Sequence, residues 1–93
     1  MAKRGRSRRV LKEEVSRRVH QIDEVAEDGA HIRVPDPVPH ARDARGRNWD
    51  MPHFGNARGY EASIRAVVDD VREEFDLDDE ADGHVSRTPN PFE

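Results

Sequence analysis

Apolar residues recur every three or four positions in two stretches of the chain, and each stretch predicts an amphipathic helix. The first stretch places one face of a helix at Leu11, Val15, Val19, Ile22 and Ala26. This pattern predicts a helix over residues 8–27. The helix should end at Asp28-Gly29, because glycine readily adopts the left-handed conformation at a helix C-terminus.

The second stretch has the cleaner helical pattern. Its apolar residues are Tyr60, Ile64, Val67, Val68, Val71 and Phe75. Their spacing predicts a helix over residues 60–75. The C-terminal end of this helix is unusual, because acidic residues crowd it where the helix dipole is negative.

Between the two predicted helices, the pattern changes to a period of two, which is typical of strands. Residues 31–34 and 47–51 alternate polar and apolar side chains, and each segment predicts a short strand. Asp43 and Gly46 occupy the first and fourth positions of a predicted turn. The second strand could pair with residues 31–34 or, across the turn, with residues 40–42. The prolines at 35, 37 and 39 remove three backbone donors, so their segment must be an edge or an extended connection.

These elements predict one small α+β domain over residues 9–77, in the order helix, strand, turn, strand, helix. The short sheet should be antiparallel, because no helical crossover separates its strands. We expect a flexible basic arm over residues 1–8 and a disordered tail over residues 78–93, acidic at first and then proline-containing. Trp49 should belong to the core, because it is the largest apolar side chain of a chain that has few.

The composition indicates a thin core. Only 18 of the 93 residues are Ile, Leu, Val or Phe, and 39% of the chain is charged. A core of this size favours a homodimer or a dedicated partner that covers the remaining apolar surface. The absence of cysteine excludes disulfides and thiolate metal sites. No apolar run approaches the roughly 18 residues of a membrane helix, so we expect a cytoplasmic protein without membrane contact.

Charge is segregated along the chain in a way that favours binding over catalysis. Residues 69–82 carry nine acids against the single base Arg72. Five of these acids form the predicted protein-binding surface, referred to below as the acidic surface: Asp69, Asp70, Glu73, Glu74 and Asp76. Like charges crowded at a helix C-terminus are strained until a cation approaches them. The sequence therefore predicts a non-catalytic protein-binding module, such as a small adaptor, inhibitor or antitoxin-like protein. Its partner would be a protein with a basic surface or a second copy of the chain.

The alternative function is a small nucleic-acid-binding accessory protein. Its phosphate contacts would come from the six basic residues of the N-terminal segment: Lys3, Arg4, Arg6, Arg8, Arg9 and Lys12. Two observations oppose it, since no Phe, Trp or Tyr precedes Trp49 to stack on a base and the net charge of −4 repels a polyanion. The basic segment could instead lie against the acidic C-terminal segment of its own or a neighbouring chain.

Residues with catalytic or metal-binding chemistry are present, but their spacing matches no compact motif. Histidines and aspartates gather around the predicted turn: His31, His40, His53, Asp36, Asp43 and Asp50. No helical metal motif or glycine-flanked serine elbow appears. We therefore expect no enzyme activity, cofactor or metal. The best pocket-like loop is 52–59, where His53 and Arg58 could hold an anion if Asn56 caps the following helix.

Overall fold

A computed structural model describes residues 4–78 of the chain. The helices are α1 (Arg8–Val19), α2 (Asp23–Asp28) and α3 (Glu61–Glu74), and the strands are β1 (Arg4–Arg6), β2 (Val38–Pro39), β3 (Trp49–Asp50) and β4 (Phe75–Leu77). The predicted α+β class with a short antiparallel sheet is confirmed: β2 pairs with β3 in antiparallel fashion. A second two-stranded sheet joins β1 to β4 in parallel. Most of the predicted tail, residues 79–93, lies outside the described residues.

The predicted helix over residues 8–27 is two helices with a bend between them. The side chain of Ser7 caps α1 by accepting a hydrogen bond from the N–H of Val10 at 3.3 Å. The helix ends at His20, whose ring Nδ1 contacts the Ser16 carbonyl at 2.8 Å and whose Nε2 accepts the Ile32 N–H at 3.1 Å. The bend lets α2 bury Val25, and α2 ends at Gly29 in the left-handed conformation, at the predicted stop.

The predicted turn forms the tip of a hairpin. The N–H of Gly46 donates to the carbonyl of Asp43 at 3.0 Å, and Gly46 has a φ of 82° that suits glycine. β2 and β3 lie on the two arms of this hairpin. The strand predicted at residues 31–34 differs, because it makes only a bridge between Arg33 and Gly55. The second predicted strand pairs instead across the turn with residues 38–39, close to the predicted pairing with residues 40–42.

The basic arm is not a free segment over residues 4–8. Residues 4–6 form β1, and Arg8 is the first residue of α1. The carbonyl of Arg6 accepts the N–H of Asp78 at 2.7 Å, and the Arg6 guanidinium lies 5.1 Å from the centre of the Phe75 ring. The basic segment therefore lies against the acidic segment of its own chain, which is one of the arrangements considered from sequence.

The core lies between α1, α3 and the hairpin. Its buried apolar residues are Leu11, Val15, Val19, Val25, Ile32, Trp49, Met51, Ala57, Ile64, Val68, Val71 and Leu77. Trp49 is fully buried, and its indole N–H donates to the carbonyl of Phe75 at 2.9 Å. The prediction that Trp49 belongs to the core is therefore confirmed.

Candidate functional site

The acidic surface of α3 and β4 faces arginines from other parts of the chain. Glu73 accepts hydrogen bonds from the Nε and Nη2 of Arg47 at 2.9 and 2.6 Å. Glu74 is held by two hydrogen bonds from Arg18 at 2.8 and 2.9 Å. The contact between Arg18 and Glu74 joins two nitrogens to two oxygens, which is the strong geometry for a guanidinium and a carboxylate. Both Arg47 nitrogens instead contact one oxygen of Glu73. The cation that the crowded helix end requires is thus supplied from within the chain.

Of the other three members of the acidic surface, two accept hydrogen bonds from arginines of the described residues and one does not. Asp69 accepts a hydrogen bond from the Nη2 of Arg65 at 2.9 Å, and Asp76 accepts two from Arg42 at 3.1 and 3.3 Å. Within residues 4–78, the carboxylate of Asp70 has neither an ion pair nor a hydrogen bond. Four of the five predicted residues therefore brace the fold, and one is open.

Arg72 is the buried centre of this charged layer. Its side chain is 8% exposed, and its Nε donates to the carbonyl of Trp49 at 2.7 Å. The carboxylates of Asp43, Asp50 and Asp69 each lie 3.6 Å from its guanidinium nitrogens. This side chain joins the hairpin to α3. One sign in the sequence indicates that Arg72 is buried, since it follows Val71 of the apolar stripe in α3. Because Arg72 is also the single base among the acids of residues 69–82, it entered the prediction only as part of the charge balance.

The ion pairs change the titration of the carboxylates. The hydrogen bond from Arg18 holds the pKa of Glu74 below its ordinary value. Burial opposes ionisation of Asp50, but hydrogen bonds from Arg65 and from the Met51 N–H outweigh it and lower the pKa of Asp50. These groups are consequently ionised at neutral pH, as a layer of internal salt bridges requires.

The predicted nucleic-acid-binding residues occupy two elements. Arg4 and Arg6 belong to β1, whereas Arg8, Arg9 and Lys12 belong to α1; Lys3 lies outside the described residues. Arg9 pairs with Glu13 at 3.3 Å and Lys12 pairs with Asp36 at 3.1 Å. A shallow groove of about 660 Å³ runs past Arg9 and Lys12 toward residues 31–34. Its cations are thus partly engaged by neighbouring acids.

A larger groove lies between loop 51–59 and the N-terminal half of α3. It has a volume of about 720 Å³ and is referred to below as the apolar groove. Its apolar lining comprises Met51, Pro52, Phe54, Ala57, Ile64 and Val68, and its polar rim includes His53, Arg58, Glu61 and Arg65. Met51, Ile64 and Val68 are otherwise buried in the core, whereas Phe54 is half-buried. The loop that the sequence indicated as pocket-like therefore forms one wall of this groove, with His53 and Arg58 on its rim.

Backbone and side-chain hydrogen bonds hold the loop wall in place. Arg33 and Gly55 exchange two backbone hydrogen bonds at 2.9 and 3.0 Å. Asn56 has a φ of 60°, and its side-chain amide donates to the carbonyl of His31 at 2.7 Å. A Cβ at Gly55 would lie 3.0 Å from the Cβ of Arg33, so the two segments approach closely. The groove is thus formed by an anchored loop.

Asn56 does not cap α3, so that part of the prediction is wrong. The N-cap position is Tyr60, which makes no side-chain capping bond. Glu61 accepts the N–H of Gly59 at 2.8 Å instead. Hydrogen bonds from its own backbone N–H and from that of Gly59 lower the pKa of Glu61, with smaller contributions from the charges of Arg58 and His53. The negative charge of Glu61 is thus directed toward backbone donors.

The predicted cluster of histidines and aspartates is dispersed in the fold. The ring of His31 lies 5.7 Å from that of His20, His40 contacts Arg72, and His53 lies on the rim of the apolar groove. In the part of the chain that the structure describes, no three His, Asp or Glu residues are placed to hold a metal ion. Across the same residues, every helix is too short or too polar to cross a membrane.

Comparisons with protein-family models, with curated proteins and with solved structures find no match to this chain.

Proposed function

We propose that this protein is a non-catalytic protein-binding module that docks a partner in the apolar groove. The observation that carries the proposal is the groove itself, with its apolar floor, charged rim and anchored wall. Its volume of about 720 Å³ can accept a few large side chains. Because hydrogen bonds already hold the loop in place, a partner would not have to order it on binding.

The distribution of polar and apolar groups in the groove supports a protein partner. Protein interfaces typically have an apolar centre surrounded by a polar rim. Pro52 and Phe54 lie in the apolar part, where an exposed proline and a half-buried aromatic ring suit contact with side chains. His53, Arg58 and Glu61 surround them on the rim.

The acidic surface is less suited to this role than the sequence pattern indicated. A basic partner would have to displace arginines that already make paired hydrogen bonds to Glu73, Glu74 and Asp76. Displacing them would also loosen the layer that joins the hairpin to α3. We therefore assign the acidic surface a bracing role and place partner docking in the apolar groove.

Comparative affinity capture from the source cells tests this proposal. The full chain would be used in three forms: wild type, Phe54→Ala in the groove, and Val38→Ala as the matched control. Val38 is an exposed apolar side chain outside the groove, at 49% exposure. We expect a protein that binds the wild type and the Val38 variant but is lost from the Phe54 variant, with all three melting cooperatively. Equal capture by all three forms would contradict the proposal.

A further inference from the structure

The rim of the apolar groove carries an exposed arginine whose guanidinium is not bound by a carboxylate of the described residues. Arg18, Arg42, Arg47, Arg65 and Arg72 are all held by carboxylates. By contrast, within residues 4–78 the exposed guanidinium of Arg58 makes no hydrogen bond or ion pair. His53, also exposed, lies on the same rim. The groove therefore presents a cationic edge whose donors are open to an incoming ligand.

We infer that the partner segment in this groove carries an apolar side chain flanked by Asp or Glu. This inference rests on the proposed function and specifies the chemistry of the partner. The apolar side chain packs on Pro52 and Phe54, the apolar lining residues that are not buried, and the neighbouring carboxylate binds Arg58. A guanidinium and a carboxylate form short, charge-assisted hydrogen bonds, so this pair gives the groove its preference.

Glu61 does not reverse this preference, although it lies on the same rim. Its carboxylate accepts the N–H of Gly59 at 2.8 Å at the N-terminus of α3, where the positive end of the helix dipole faces it. Arg65, the other rim cation, is bound by Asp50 and Asp69 at 2.9 Å. Arg58 therefore remains the rim cation that no carboxylate within residues 4–78 binds, and it favours an acidic partner over a basic one.

Selection from a random-peptide display library against the immobilised full chain tests the inference. We expect enriched peptides that combine a large apolar residue with a nearby Asp or Glu. A labelled synthetic peptide with the enriched sequence should shift the amide resonances of Phe54, Ala57 and Ile64. Its affinity, measured by fluorescence anisotropy, should fall when Phe54 is replaced by Ala.

Charge reversal then tests the role of Arg58 directly. Arg58→Glu should weaken binding of the acidic peptide about tenfold, because like charges then face each other. Arg45→Glu is the matched control, since Arg45 is an exposed arginine at the hairpin tip outside the groove; it should leave the affinity unchanged. A peptide in which Lys replaces the acid should bind the Arg58→Glu variant better than the wild type.

Two different failures are distinguishable in this design. If the selected peptides shift the groove amides but show no acidic preference, and the Arg58 and Arg45 variants bind them equally, the inferred chemistry is overturned while groove binding stands. If no selected peptide shifts those amides or responds to Phe54→Ala, the inference is overturned together with the groove as the docking site.

Discussion

Replacing Arg72 with methionine should measurably lower the stability of the domain. Methionine keeps a flexible, unbranched apolar stem but is shorter and removes the charge and the hydrogen-bond donors. In the structure, Arg72 is 8% exposed, donates to the Trp49 carbonyl at 2.7 Å, and has the carboxylates of Asp43, Asp50 and Asp69 at 3.6 Å. The substitution therefore removes a cation from beside three part-exposed carboxylates and leaves a core carbonyl without its donor.

The expected loss follows from these contacts. The side chains of Asp43, Asp50 and Asp69 are 38–41% exposed, so water compensates much of the lost charge, and Asp50 and Asp69 keep their contacts with Arg65. The larger cost comes from the orphaned carbonyl of Trp49, since an unsatisfied buried acceptor costs about 1–3 kcal/mol. A natural domain has a total stability of only about 5–15 kcal/mol. Arg72→Met should therefore lower the free energy of unfolding by about 1–3 kcal/mol, a measurable fraction of that total.

Urea denaturation followed by circular dichroism measures the change in the free energy of unfolding. Arg17→Met is the matched control, because Arg17 is an exposed arginine paired with Glu14 within α1, and loss of such a pair costs about 0–1 kcal/mol. Equal stability of the Arg72 and Arg17 variants would refute a central bracing role for Arg72.

Three further results are expected. Gly5→Ala should weaken the pairing of β1 with β4 and speed hydrogen exchange at the Asp78 amide, because the new Cβ would lie 2.9 Å from the Cβ of Asp78; unchanged exchange would argue against this pairing. The lowered pKa of Glu74 means that its stabilisation is complete above the unfolded carboxyl value of about 4.3 and is lost as the pH falls through the folded value. Arg18→Gln should flatten this acid dependence in a pH series of urea titrations, whereas an unaltered profile would contradict the assignment. Ser7→Ala should cost about 1 kcal/mol in thermal unfolding through loss of the α1 cap, and a neutral effect would show that the cap is dispensable.

The candidate site could be predicted only in part. Loop 52–59 was recognisable from sequence, as were His53 and Arg58 as its charged side chains. The floor of the groove was not, because Ile64 and Val68 become neighbours of that loop only when α3 packs beneath it. The acidic surface was recognisable as an unusual helix end, but its partners are arginines far away in sequence.

Features that depend on neighbouring residues were determined by the sequence itself. The helix predicted over residues 60–75 matches Glu61–Glu74, the turn lies at Asp43 and Gly46, and Gly29 ends a helix at the predicted stop. Helical periodicity and the left-handed preference of glycine act over a few residues, so local sequence suffices for them.

Only the tertiary structure decided the features that depend on distant partners. The chain bends after α1, so that Val25 enters the core. β1 pairs with β4, although the two strands lie near opposite ends of the described sequence, and Arg18 pairs with Glu74. A charge pattern shows that an acid needs a cation, but many arginines of this chain could serve. Packing of the apolar core selects among them, because it determines which charged side chains come within hydrogen-bonding distance.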